Sequence, residues 1–167
     1  RMAKQIIAEW DVLDLPLHEV RVSRTVSGRN LVRTSILPAC RFEVRTSKVE
    51  HPWAGITPDV LLEDHGAEML AVEVCVTHPV EESKRVRVAE LNLPMIEYDL
   101  SVLSRRDWDV ASLEAVLRPM APAWILHPLE RSVRGKLEGE LLQDEADLLR
   151  EIESRMVKTV VDAGSPS

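Results

Sequence analysis

Asp59 and Glu73 are the residues whose type and placement ask most directly for chemistry. Asp59 lies in Ile56-Thr57-Pro58-Asp59-Val60-Leu61-Leu62, and Glu73 in Met69-Leu70-Ala71-Val72-Glu73-Val74-Cys75-Val76. A carboxylate inside an apolar strand run is costly to bury unless it is paired or holds a cation. Two such carboxylates on strands joined by a short polar turn, Glu63 to Glu68, can meet at one point and hold a divalent metal. That arrangement serves phosphodiester chemistry. The alternative is a pair of strand carboxylates satisfied by arginines or backbone amides.

The elements that must position this pair can be read from periodicity and breakers. A helix is expected from Ala3 to Trp10, with Ile6, Ile7 and Trp10 on one face, closed off by Pro16. It opens inside the helical pattern with no N-cap, which predicts further sequence upstream of Arg1. His18 to Val26 alternates as a half-buried strand, Ser27 to Asn30 is a turn, and Leu31–Leu37 and Ala39–Val49 are extended around Pro38. The Asp59 and Glu73 strands then form a hairpin. A helix is expected from Pro79 to Leu91, a strand from Met95 to Leu100, and a helix from Asp107 to Leu117 capped by Asp107 or Ser104. The strand–helix–strand step over 69–100 requires a parallel pair beside the antiparallel hairpin, hence a mixed α/β sheet flanked by helices. From Leu129 to about 162, apolar residues recur along one long helix, which either packs along the domain or pairs with a second copy. The expected division is an α/β domain over 1–128, the long helix over 129–162, and a disordered tail over 163–167.

Length and a 45% hydrophobic content allow one domain with a real core. The net charge of −7 does not advertise a nucleic-acid binder, but its distribution is uneven. Arg21, Arg24, Arg29, Arg33, Arg41, Arg45 and Lys48 stand against Glu43 alone in that stretch. It is either a solvated basic hairpin or a surface that contacts phosphates. Cys40 and Cys75 are too few for a disulfide framework, which points to a reduced, cytoplasmic setting, and no apolar run approaches a membrane span. A glycine-rich phosphate loop and a Gly-x-Ser-x-Gly elbow are both missing. His51, His65, His78 and His127 have no zinc-site spacing.

Pro58-Asp59, followed fourteen residues later by Glu73 on the next strand, resembles the PD-(D/E)XK nuclease superfamily. Val72-Glu73-Val74-Cys75-Val76-Thr77-His78-Pro79-Val80-Glu81-Glu82-Ser83-Lys84, with Leu93-Pro94-Met95-Ile96-Glu97-Tyr98-Asp99-Leu100-Ser101, is similar to its competence-protein CoiA-like branch. The resemblance spans residues 56–101 and, loosely, the opening helix. It implies a restriction-endonuclease-like αβββαβ core and metal-dependent cleavage of DNA. Asp59 and Glu73 would hold Mg²⁺ (or Mn²⁺) with a backbone carbonyl at Cys75. The family places Lys two residues after its Glu; here that residue is Cys75, and a thiol supplies no positive charge. Lys84 on the following helix is the substitute that would orient the attacking water. Its other reading is a solvent-facing lysine beside Arg85 and Arg87. His78 either shuttles a proton or caps the helix at Pro79. Glu97 and Asp99 share one face, as an ordinary polar face or at the edge of the site. The family's first-helix Glu has no firm counterpart in Glu9.

The expectation is therefore a Mg²⁺-dependent deoxyribonuclease in which Arg21 to Lys48 grip phosphates, with a homo-oligomer formed through the long helix and no membrane partner. Its rival is a catalytically inactive module of the same fold that binds nucleic acid or a protein partner. Cys75, the acidic total and the long apolar stripe favour the rival.

Overall fold

The computed structural model describes residues 1–103 and 105–164. The chain forms two compact units, one from 1–18 and 37–128, the other from 19–36 and 129 onward. In chain order the elements are α1 (Met2–Ala8), β1 (Val12–Leu15), β2 (His18–Val26), β3 (Arg29–Leu37), β4 (Cys40–Val49), β5 (Val60–Asp64) and β6 (Met69–Cys75). They continue with α2 (Glu82–Leu91), β7 (Met95–Asp99), α3 (Val110–Leu117), β8 (Ala123–Leu126) and α4 (Glu130–Gly164).

The first unit is a mixed α/β layer with strand order β1-β4-β5-β6-β7-β8. β5 and β6 are antiparallel, β6 and β7 parallel. The parallel pair follows from the α2 crossover, because a parallel return needs a long connection. With β1, β8 and the β2–β3 hairpin set aside, the order is helix, three strands, helix, strand, which is the expected αβββαβ run.

β6 lies inside the sheet and is covered on both faces, so its sequence is a near-continuous apolar run rather than an alternating one. Leu70 and Val72 join Ile6, Ile7, Trp10, Leu113 and Leu117 in the core under α1 and α3. Ala71 joins Leu61, Val88, Leu93 and Met95 under α2. Two-residue alternation therefore turns Glu73 toward the α2 face. α2 ends on Asn92, whose left-handed φ of 50° lets its N–H reach the Ala89 carbonyl, a role glycine more often fills.

In the second unit the β2–β3 hairpin turns through Ser27 and Gly28, both at positive φ, as a two-residue primed turn requires. Val20, Val22 and Val26 of β2 and Leu137, Leu141 and Leu148 of α4 are buried. Arg33 grips both carboxylate oxygens of Asp144 through Nε and Nη2, at 2.7 and 2.8 Å.

Several boundaries differ from expectation. β1 and β8 are strands in stretches where the sequence pattern predicts no element. α2 begins three residues later than Pro79, with Glu81 at its N-cap. α3 starts at Val110, capped by Asp109, whose carboxylate accepts the Ser112 N–H at 2.7 Å; Asp107 does not cap it, and Ser104 lies outside the described residues. α4 runs through Gly164, past the expected end at 162, so Ala163 and Gly164 are helical and only 165–167 of the expected tail lie outside the described residues.

Candidate active site

Asp59 stands one residue before β5, where the strand leaves the sheet. The register pairing Val60 with Val72 carries Asp59 to the level of Glu73. There the two residues bond each other's strands through side chains. The Asp59 N–H donates to Glu73 Oε1 at 3.2 Å, and the Val74 N–H donates to Asp59 Oδ2 at 2.8 Å. These reciprocal bonds satisfy amides that would otherwise be lost where β5 peels away. They also bring the two carboxylates close enough for the charge on Asp59 to be felt at Glu73.

Each carboxylate meets one lysine. Lys84, on the first turn of α2, places Nζ 2.8 Å from Glu73 Oε1. Lys4, on α1, places Nζ 2.6 Å from Asp59 Oδ1 and 2.8 Å from Glu50 Oε1. Glu73 is only 8% exposed, and burial raises its carboxyl above the usual range despite the lowering effect of Lys84; Asp59 adds to the rise. Burial pulls the Lys4 ammonium down, but its bonds to Asp59 and Glu50 outweigh this and leave its pKa raised. Two partly buried carboxylates are thus balanced by two ammonium groups from different helices.

A cavity of about 320 Å³ opens beside Glu73, lined also by Cys75, His78, Val80, Lys84 and Glu97. Asp59 is not part of its wall. The Cys75 carbonyl, expected as a metal ligand, already accepts the Leu100 N–H at 2.7 Å. The Cys75 thiol is buried, and burial together with Glu97 and Asp99 raises its pKa, so it stays a neutral thiol. Among the described residues no group of three His, Cys, Asp or Glu side chains comes together as a metal cage. The donor set is then two hard carboxylates. This fits Mg²⁺ in its usual form, in which one or two carboxylates bind and water and substrate phosphate complete the shell.

Of the residues expected at the site, Glu73, Lys84 and His78 line one cavity, and Asp59 is tied to Glu73 from its flank. Glu9 is the exposed residue that ends α1. Lys4 was missed; its only sequence signal is its place on the helix whose buried face carries Ala3, Ile6 and Ile7. Glu97, whose alternation allows either the edge of the site or an ordinary polar face, lines the cavity. The seven basic residues divide between the units: Arg21, Arg24, Arg29 and Arg33 lie on the hairpin, and Arg41, Arg45 and Lys48 on β4. Arg24 pairs with Glu145, Arg33 with Asp144, Arg41 with Asp14 and Arg45 with Glu63. Arg21, Arg29 and Lys48 have no carboxylate partner among the described residues. The stretch therefore does not form one uncompensated basic face.

Among the described residues no helix is long and apolar enough to cross a membrane. No protein-family model matches the sequence, and no curated protein or solved structure matches the chain.

Proposed function

We propose that the first unit is a metal-dependent nuclease of PD-(D/E)XK type that hydrolyses phosphodiester bonds of DNA in the cytoplasm. The observation that carries this reading is Glu73: a nearly buried carboxylate, cross-bonded to Asp59 and held by Lys84 beside an open cavity. A divalent cation bound by Asp59 and Glu73 would polarise the phosphate and acidify an attacking water. The chain's own residues do the rest. Glu73 and Asp59 supply anionic oxygens fixed by backbone N–H groups, so little reorganisation is needed. Lys84 brings to Glu73 the positive charge that Cys75, in the position where the family has its lysine, does not supply. His78, on the cavity wall, would hand a proton to a leaving oxygen. Of the seven basic residues between 21 and 48, Arg21 and Arg29 on the hairpin and Lys48 on β4 would meet phosphates.

The test is Mn²⁺- or Mg²⁺-dependent cleavage of plasmid and single-stranded DNA by the full chain. Glu73→Ala and Asp59→Ala are expected to abolish cutting, and Lys84→Ala to lower it about 10²- to 10³-fold. A second reading, an inactive module that binds DNA or a protein, is favoured by the lysine on each carboxylate and by the four neutralised arginines. DNA binding without cutting in any divalent metal would select it. The proposal also includes pairing with a second copy through α4, supported by Met156 and Val160, which are 64% and 72% exposed.

A further inference from the structure

Between the end of β6 at Cys75 and the start of α2 at Glu82 the chain has no regular structure, yet this segment decides where Lys84 sits. Its peptide groups are held at Val80. The Val80 N–H donates to Glu97 Oε2 at 2.9 Å, and the Val80 carbonyl accepts from Arg85 Nε at 3.2 Å. The Glu81 carbonyl accepts the Arg85 N–H at 3.0 Å and so opens the first turn. Lys84 lies one turn beyond Val80, on that same first turn.

Glu97 stands opposite Glu73 in the parallel β6–β7 register. Its neighbours Ile96 and Tyr98 face the α1 and α3 core, so Glu97 faces α2, as Glu73 does. Neighbouring strands of a sheet lie about 4.8 Å apart. One of these adjacent carboxylates therefore holds the lysine, and the other holds the lead-in to the helix that carries it. Both line the same cavity. α2 has no side-chain cap of its own at Glu81; the side chains that hold its lead-in are Glu97, on the Val80 N–H, and Arg85, on the Val80 carbonyl.

We infer that Glu97 is a positioning residue of this site: by holding the Val80 N–H it seats the start of α2 so that Lys84 reaches Glu73. The inference rests on the nuclease reading for its catalytic consequence, but the placement of Lys84 can be read without catalysis.

The full chain is reductively dimethylated with ¹³C, the Lys84 resonance is assigned by its loss in Lys84→Arg, and the signal is followed in wild type, Glu97→Ala and Glu97→Gln. Mn²⁺-dependent cleavage of a short duplex is measured in parallel. In Glu97→Ala the Lys84 signal should move to the position of solvent-exposed lysines. The kcat should fall about 10- to 100-fold, as for a displaced catalytic group, with KM within about twofold. Glu97→Gln keeps an acceptor oxygen and drops the charge, and it should restore both. A wild-type Lys84 resonance in Glu97→Ala overturns the inference. So does a Glu97→Gln variant as impaired as Glu97→Ala, which would make the carboxylate charge itself the working feature. If Glu97→Ala does not fold, Glu97→Leu, which fills the space without an acceptor, takes its place under the same criteria. If wild type cuts no DNA the nuclease reading fails, and the Lys84 resonance still decides the role of Glu97.

Discussion

Glu73 brings a titratable group into a strand that is otherwise apolar on both faces, and burial raises its pKa. A carboxyl whose pKa is higher folded than unfolded binds its proton more tightly in the folded state. Its contribution to stability is then full below the ordinary carboxylate pKa and is lost as pH rises through the raised folded value. The stability of wild type minus that of Glu73→Gln should therefore fall as pH rises above the ordinary glutamate pKa of about 4.3. Urea denaturation of both proteins across that range measures it, and a flat or rising difference would show that Lys84 fully offsets the burial. Asp59, Glu73 and Lys84 were legible in the sequence because acids inside apolar runs, and a lysine on the helix after them, have a local signature. Lys4 was not, since nothing in sequence links an α1 lysine to a strand entrance in another part of the chain. Glu97 showed its face through alternation with Ile96 and Tyr98, but its bond to Val80 depends on where α2 begins, which the sequence pattern sets at Pro79 and the structure at Glu82.

Among the elements, the long and strongly periodic ones were readable. β6, its parallel partner β7 and the helix between them followed from apolar runs and a crossover length, and α4 from its recurring leucines. β1 and β8 were not, because each has four residues and pairs along one side only, so each carries little periodicity of its own. The start of α3 slipped by three residues because Asp107 and Asp109 are equally good caps on paper; only Asp109 reaches the Ser112 N–H. In α4, Gly135 and Gly139 leave open space where a Cβ would stand. Alanine there removes backbone freedom from the unfolded chain without a clash. Each substitution should add about 1 kcal/mol, read as a higher urea midpoint, and a loss of stability would mean that these positions are covered.

For the whole molecule, charge is spent internally. Four of the seven basic residues between 21 and 48 face carboxylates, so most of the positive charge of that stretch is matched where it stands. Beyond Leu148 no residue of α4 is buried, and Leu149, Met156, Val157, Val160 and Val161 stand exposed. Apolar residues in such a run on one helix are a surface that seeks a partner. If that partner is a second copy, sedimentation equilibrium should show a concentration-dependent dimer that Val160→Glu converts to monomer, with the fold unchanged by circular dichroism; a monomer in wild type would remove the pairing. The chain leaves the first unit after residue 18 and returns at 37, while β1 and β4, on either side of that excursion, pair directly, Leu15 beside Cys40. The excursion is therefore spliced into what would otherwise be a plain hairpin. A chain shortened there by a tight turn keeps Lys4, Asp59, Glu73, Lys84 and Glu97 with their strand neighbours, and gives up Arg21 and Arg29 with the rest of the β2–β3 hairpin.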